Sequence, residues 1–141
     1  MASEEIRNGE DILAIMIRNG SVKEPLAFPS PASFPLQLGI HNRKKEESVI
    51  PHFHLPLNLI DEKIKELSVQ EFIYLESGKI QVEVYDHQGK LFKQVVLLPK
   101  DMIMLNSGHS ISFLEDSRII EIKQGPYRGK EKEKVYFEVK K

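Results

Sequence analysis

His52 and His54 stand two positions apart in Pro51-His52-Phe53-His54, within a stretch of strand character. Side chains alternate along a strand, so both imidazoles point to one face and Phe53 to the other. Two neutral imidazoles converging from one face can chelate a divalent transition metal. The pair alone does not make a site, because paired histidines are also common on surfaces and in cores. A metal needs further ligands, and the chain contains no cysteine, which leaves His, Asp and Glu to supply them. Glu71 opens Glu71-Phe72-Ile73-Tyr74-Leu75-Glu76-Ser77-Gly78, and His109 follows the tight turn Asn106-Ser107-Gly108. The four candidates therefore lie on, or at the mouths of, three separate β elements.

Composition narrows the class of protein that carries them. A chain of 141 residues is long enough for one domain with a real core. Its 20 basic and 21 acidic residues leave a formal charge of -1, so nothing drives it toward nucleic acid or an anionic membrane. The absence of cysteine excludes disulfides and thiolate chemistry. Ile12 to Ile17 is apolar but short, and Glu4, Glu5, Glu10 and Asp11 precede it. A signal peptide wants a basic start, and a spanning helix wants about 20 apolar residues. A cytoplasmic protein is the expectation.

The elements that must position the four residues read as strands. Residues 1–9 are polar and expected to fray. Asp11 to Arg18 reads as a strand ending at Asn19-Gly20. Glu24 to Pro35 contains Pro25, Pro29, Pro31 and Pro35, and reads as an extended covering segment pinned by Phe28 and Phe34. Further strands are expected at Leu36–Ile40, closed by His41, and at Ser48–His54. Residues 55–70 fit a helix or a hairpin extension equally. Strands then follow at Gln70–Glu76, Ile80–Tyr85, Leu91–Leu98, Met102–Leu105, Ser110–Leu114, Arg118–Lys123 and Val135–Val139. That makes roughly ten short strands, the spacing of an all-β sandwich or barrel. The mixed-charge run Lys130 to Lys134 reads as a solvated loop or edge.

The ordered pattern His52-x-His54, Glu71, Gly78 and Gly108-His109 resembles the cupin superfamily of double-stranded β-helix (jelly-roll) barrels. The family's spacing from its glutamate to its glycine is kept between Glu71 and Gly78. Other positions depart from it. Glu46 and Lys100 stand where each motif opens on glycine, residues 55–70 lengthen the first spacer, and Asn106 replaces a proline. The two residues usually found just before the second-motif histidine are missing, and Phe113 replaces an asparagine. The stretch Ile119 to Tyr127, with Lys134 beyond it, looks like the closing segment of WbuC-type cupins of bacterial surface-polysaccharide (O-antigen) biosynthesis.

The resemblance implies a barrel over residues 36–141, with a strand and Pro-rich arm from residues 1–35 on its outside. It implies a divalent metal (Fe, Mn, Ni, Co or Zn) held by His52, His54, Glu71 and His109, and a homodimer. The implied function is that of a metal-dependent isomerase, epimerase or oxygenase acting on a small polar or sugar-like substrate. The alternative is a non-catalytic metal- or sugar-binding module with a regulatory or scaffolding role. Glu121 and Lys123 share one face of their strand, either solvated or turned into the barrel. If inward, Glu121 is a candidate general base, and Lys123, Tyr127 and Arg128 are candidate substrate contacts. His41 at a strand end could line the cavity mouth, whereas His87 lies in a turn and is expected to be solvated.

Overall fold

In Ile80-Gln81-Val82-Glu83-Val84-Tyr85, Ile80 and Val82 are fully buried while Gln81 and Glu83 turn to the other, half-exposed face. Period-two alternation of this kind needs an apolar layer to face, and the chain supplies it as two sheets. A computed structural model describes residues 4–55, 69–126, 128–129 and 134–140. Most of the stretch with two readings, 55–70, and all of Tyr127 lie outside the described residues.

Twelve strands occur among the described residues. The first four are β1 (Glu4–Asn8), β2 (Asp11–Met16), β3 (Leu26–Ala27) and β4 (Leu36–Arg43). Then come β5 (Ser48–His54), β6 (Glu71–Ser77), β7 (Ile80–Tyr85) and β8 (Leu91–Leu97). The last are β9 (Met102–Leu105), β10 (His109–Phe113), β11 (Ser117–Gln124) and β12 (Lys134–Tyr136). No helix occurs among the described residues.

One five-stranded sheet has the order β12-β5-β10-β7-β8 and the other β3-β4-β11-β6-β9. Ile80, Val82, Leu97, Ile111 and Phe113 of the first sheet meet Ile73, Leu75, Leu105 and Ile119 of the second in one core. The expected strands are present except that the last runs over Lys134–Tyr136 and not Val135–Val139, with His41 inside β4 and His109 as the first residue of β10. The N-terminus differs from expectation. Its polar residues form β1, which pairs with β2 as a separate hairpin closed by Gly9 at φ 61. A tight turn and a cross-strand partner outweigh composition here.

The Pro-rich arm is tied down by polar contacts. Gln37 Nε2 donates to the carbonyls of Phe34 (2.8 Å) and Pro31 (2.9 Å), and Ser30 Oγ accepts from the Leu38 N–H at 2.9 Å. Between two of its prolines the arm adds β3 to the edge of β4. That edge is where a proline-flanked strand belongs, since proline cannot donate to a ladder.

Two turns keep a conformation that their residues disfavour. Glu46 and Lys100 have φ of 76° and 77°. Each is third in a turn closed by a backbone hydrogen bond, Glu47 N–H to Lys44 at 3.1 Å and Asp101 N–H to Leu98 at 3.0 Å. This is the type II arrangement, which favours glycine at that position. A left-handed conformation costs a residue with a Cβ about 1–2 kcal/mol, of which greater chain entropy takes back about 0.5–1 kcal/mol when glycine replaces it. Glu46→Gly and Lys100→Gly are each expected to stabilise the fold, raising the thermal midpoint by about 2–4 °C. Calorimetry of the two variants checks this.

Candidate metal centre

Strand pairing decides which side chains meet. His109 on β10 is the cross-strand partner of His52 on β5, so their rings share the inner face of the first sheet. The register shifts between His109 and Ile111, a bulge at the mouth of the strand where the family pattern is short. His54 follows on the same face. Ring centroids lie 4.6 Å apart for His52–His109, 4.9 Å for His52–His54 and 5.5 Å for His54–His109. Glu71 reaches them from β6 in the opposite sheet. One donor atom from each of the four residues lies within 4.8 Å of every other.

The hydrogen bonds around the rings fix their protons. His109 Nδ1 donates to the Ser107 carbonyl at 2.9 Å, and His52 Nδ1 donates to the Ile50 carbonyl at 2.8 Å. Each bond leaves Nε2 as the lone pair, the second-sphere arrangement typical of metal-ligating histidine. His54 Nε2 donates to Glu71 Oε2 at 2.6 Å, so a proton is shared where a cation would otherwise be shared. His109 Nε2, 3.1 Å from the same oxygen, is buried without a hydrogen-bond partner. A buried lone pair without a donor is costly, and a cation at the centre of the four groups would satisfy it. Three neutral imidazoles and one carboxylate suit a divalent transition ion. The donor set fits such a metal.

Burial works against charge throughout the cluster. It opposes ionisation of Glu71, but the adjacent His109 ring and the hydrogen bond from His54 outweigh it and hold that carboxyl well below its usual range. Burial and then the charge of His109 push His52 down to about 3. Burial also lowers His54, though Glu71 opposes it. For His109 burial is outweighed by Glu71, and the pKa rises.

Glu121 and Lys123 turn inward, on the same face as the fully buried Ile119, while Ile122 is exposed on the other face. Glu121 Oε2 accepts a hydrogen bond from His41 Nε2 at 2.6 Å. Burial and then the negative charge of Glu71 raise the pKa of the Glu121 carboxyl, while His41 opposes them. Gly39, its neighbour on β4, leaves room for this. A Cβ there would stand 3.2 Å from Glu121 Oε2 and 3.1 Å from the Phe28 ring. At Gly78, φ is 93° and a Cβ would fall 2.4 Å from the Asp116 carbonyl, so this glycine is sterically required.

Above Glu121 opens a cavity of about 450 Å³. Leu26 and Phe28 of the arm, Glu121 and Lys123 of β11, and Lys134 and Tyr136 of β12 face it. Of the candidate substrate contacts, Lys123 lines the cavity. Arg128 lies elsewhere, its Nη2 donating to the Leu55 carbonyl at 2.6 Å. His41 is buried in the barrel wall and His87 is exposed on its turn. Glu76, near the end of β6, pairs with Arg118. Sequence reasoning missed Lys134 and Tyr136 as lining residues. Their alternation in Lys134-Val135-Tyr136 was the available signal, masked by the charged run before it.

No family model and no curated protein matches the sequence. Solved structures do match in shape. The chain is similar to a variant of Bacillus subtilis oxalate decarboxylase (17% identity, TM-score 0.58), covering 79% of this chain and 27% of the other. It therefore spans about a quarter of that protein, which carries Mn(II) centres. It is also similar to KdgF from Halomonas sp. (18% identity, TM-score 0.53), covering 76% of this chain and 85% of the other. A third match is a cupin superfamily protein of Desulfitobacterium hafniense (14% identity, TM-score 0.52), covering 70% and 74%. The fold is the cupin jelly roll.

The histidine pKa values carry a pH dependence for the metal-free chain. Between about 3 and 6.5 the unfolded chain protonates His52 and the folded chain does not. Its contribution to stability is therefore whole above pH 6.5 and lost as pH falls toward 3. His54 acts in the same direction, and His109, with its raised pKa, in the opposite one. Thermal melts of metal-free protein are expected to show a midpoint that falls with pH across this window, and less steeply in His52→Gln.

Proposed function

We propose that the chain is a metal-dependent cupin that acts on a small polar or sugar-like substrate, with the metal held by His52, His54, Glu71 and His109. The observation that carries this reading is the convergence of the four donors within 4.8 Å, with Glu121 between them and the 450 Å³ cavity. A bound divalent ion would supply Lewis acidity toward a substrate carbonyl or hydroxyl, or oxygen activation if it were iron. Isomerisation, epimerisation and oxygenation are the reaction classes this fits.

The protein's own groups have separable parts in the reading. The Ser107 and Ile50 carbonyls hold His109 and His52 in the tautomer that presents Nε2. Glu121 lines the cavity with its pKa raised and His41 orients it, which makes Glu121 the acid–base candidate. Phe28 and Leu26 line the cavity from the arm. The likeness of Ile119–Tyr127 to WbuC-type cupins supports surface-polysaccharide metabolism in the cytoplasm as the setting, and a homodimer as the working state.

Metal analysis of protein purified without an affinity tag tests the proposal. The parent is expected to load a stoichiometric divalent ion. His52→Ala and His109→Ala should each bind it more than about tenfold more weakly, while Glu121→Gln should keep it. A parent that carries no metal and cannot be loaded refutes the reading.

A further inference from the structure

The two sheets differ on the faces they turn away from the core. Across β10, β7 and β8 an outward row reads Ser110, Glu83 and Gln94, as suits an antiparallel sheet with one side in water. On the second sheet two successive outward rows are apolar. Ile40, Ile120, Tyr74 and Met102 are cross-strand neighbours over β4, β11, β6 and β9. Leu38, Ile122, Phe72 and Met104 form the row beside them. Ile40 is buried within the chain, but the others are half-buried or exposed, most of all Met102 at 62% and Met104 at 60%.

Polar margins bound this face at both ends. Arg118 pairs with Glu76 and donates to Asn42 Oδ1 at 2.9 Å. At the other end Gln124 Oε1 accepts from the Gln70 N–H at 2.8 Å, and Gln70 Nε2 donates to Asn106 Oδ1 at 3.3 Å. Both margins are paired within the chain, and an apolar centre inside a polar border is the anatomy of a protein interface.

We propose that this face is the contact between two copies of the chain, packed outer sheet on outer sheet about a twofold axis. The proposal rests on the homodimer named above for the existence of a second copy, and adds the surface. With Leu36 at its edge, the face exposes on the order of 500 Å² of apolar side chain, near the upper end for the largest patch of a lone monomer. Two copies closing on it remove about 1,000 Å² from water, the size at which a specific interface begins. The two central rows carry no charge, so the face meets its own copy without like-charge repulsion. Unbranched methionines on β9 can fill the gaps that such a contact leaves. Phe72 on this face and Glu71 in the metal centre are consecutive residues, so the contact braces the strand that carries the carboxylate and leaves the cavity open.

Sedimentation equilibrium of the full chain tests this. The parent is expected to behave as a species of twice 16.2 kDa at micromolar concentration. Met104→Glu and Ile122→Glu should each raise the dimer dissociation constant at least about a hundredfold, since association would bury an unpaired carboxylate. Val96→Glu, at an exposed apolar position on the back of the first sheet, should leave it unchanged. Far-UV circular dichroism and metal content are expected to match the parent in all three, which separates lost association from lost folding. Should a glutamate variant lose its dichroism, Met104→Gln and Ile122→Thr read the same contact with about tenfold weakening. A parent dimer that none of these substitutions on the second sheet weakens overturns the face and leaves the homodimer standing. A dimer broken by Val96→Glu alone also overturns it, by moving the contact to the first sheet. A parent that stays monomeric up to about 100 μM overturns the homodimer and the face together.

Discussion

The arrangement depends on one buried carboxylate. Glu71 leaves the second sheet and meets three imidazoles of the first, in a region with almost no exposure to water. Desolvating a charge is expensive, and removing one partner of a buried charged pair costs about 3–5 kcal/mol. Glu71 is tolerated because His54, His109 and Glu121 all face it. The same carboxylate bears on its neighbours, raising the pKa of His109 and, after burial, that of Glu121, whereas His52 is lowered by burial and then by His109.

Around that centre, glycines and the arm act as spacers. Gly78 lets β6 turn into β7 against the Asp116–Ser117 backbone. Gly39 leaves the volume that Glu121 and Phe28 occupy. Gln37 holds the arm in place through carbonyls, so Phe28 covers the cavity although its own ring is largely exposed. The arm is fixed by directional bonds more than by burial.

Most strands were legible from alternation, since half-buried sheets write their period into the sequence. The four donors were legible too, as residue types at strand ends, but their convergence depends on register. The bulge that sets His109 against His52 leaves no mark in residue order. The His41–Glu121 bond arises from strands far apart in the chain, and β12 finds β5 only in three dimensions. Polar residues 4–8 gave no strand pattern because their partner strand carries the apolar content. The left-handed turns at Glu46 and Lys100 show the converse. The backbone adopts a glycine's conformation although neither residue is a glycine, so a reading by letters misses the turn.

Strand order also governs when the site can exist. β5 lies between β10 and β12, both of which come much later in the chain, and Glu71 must arrive from the facing sheet. Contacts of such long sequence separation form late, because closing long loops precedes any reward for doing so. During synthesis, His52 and His54 leave the ribosome well before His109, and before the strand that brings Lys134 and Tyr136. The pocket is therefore a product of finished folding, assembled in one step near the end, and a cation has no complete seat on the growing chain.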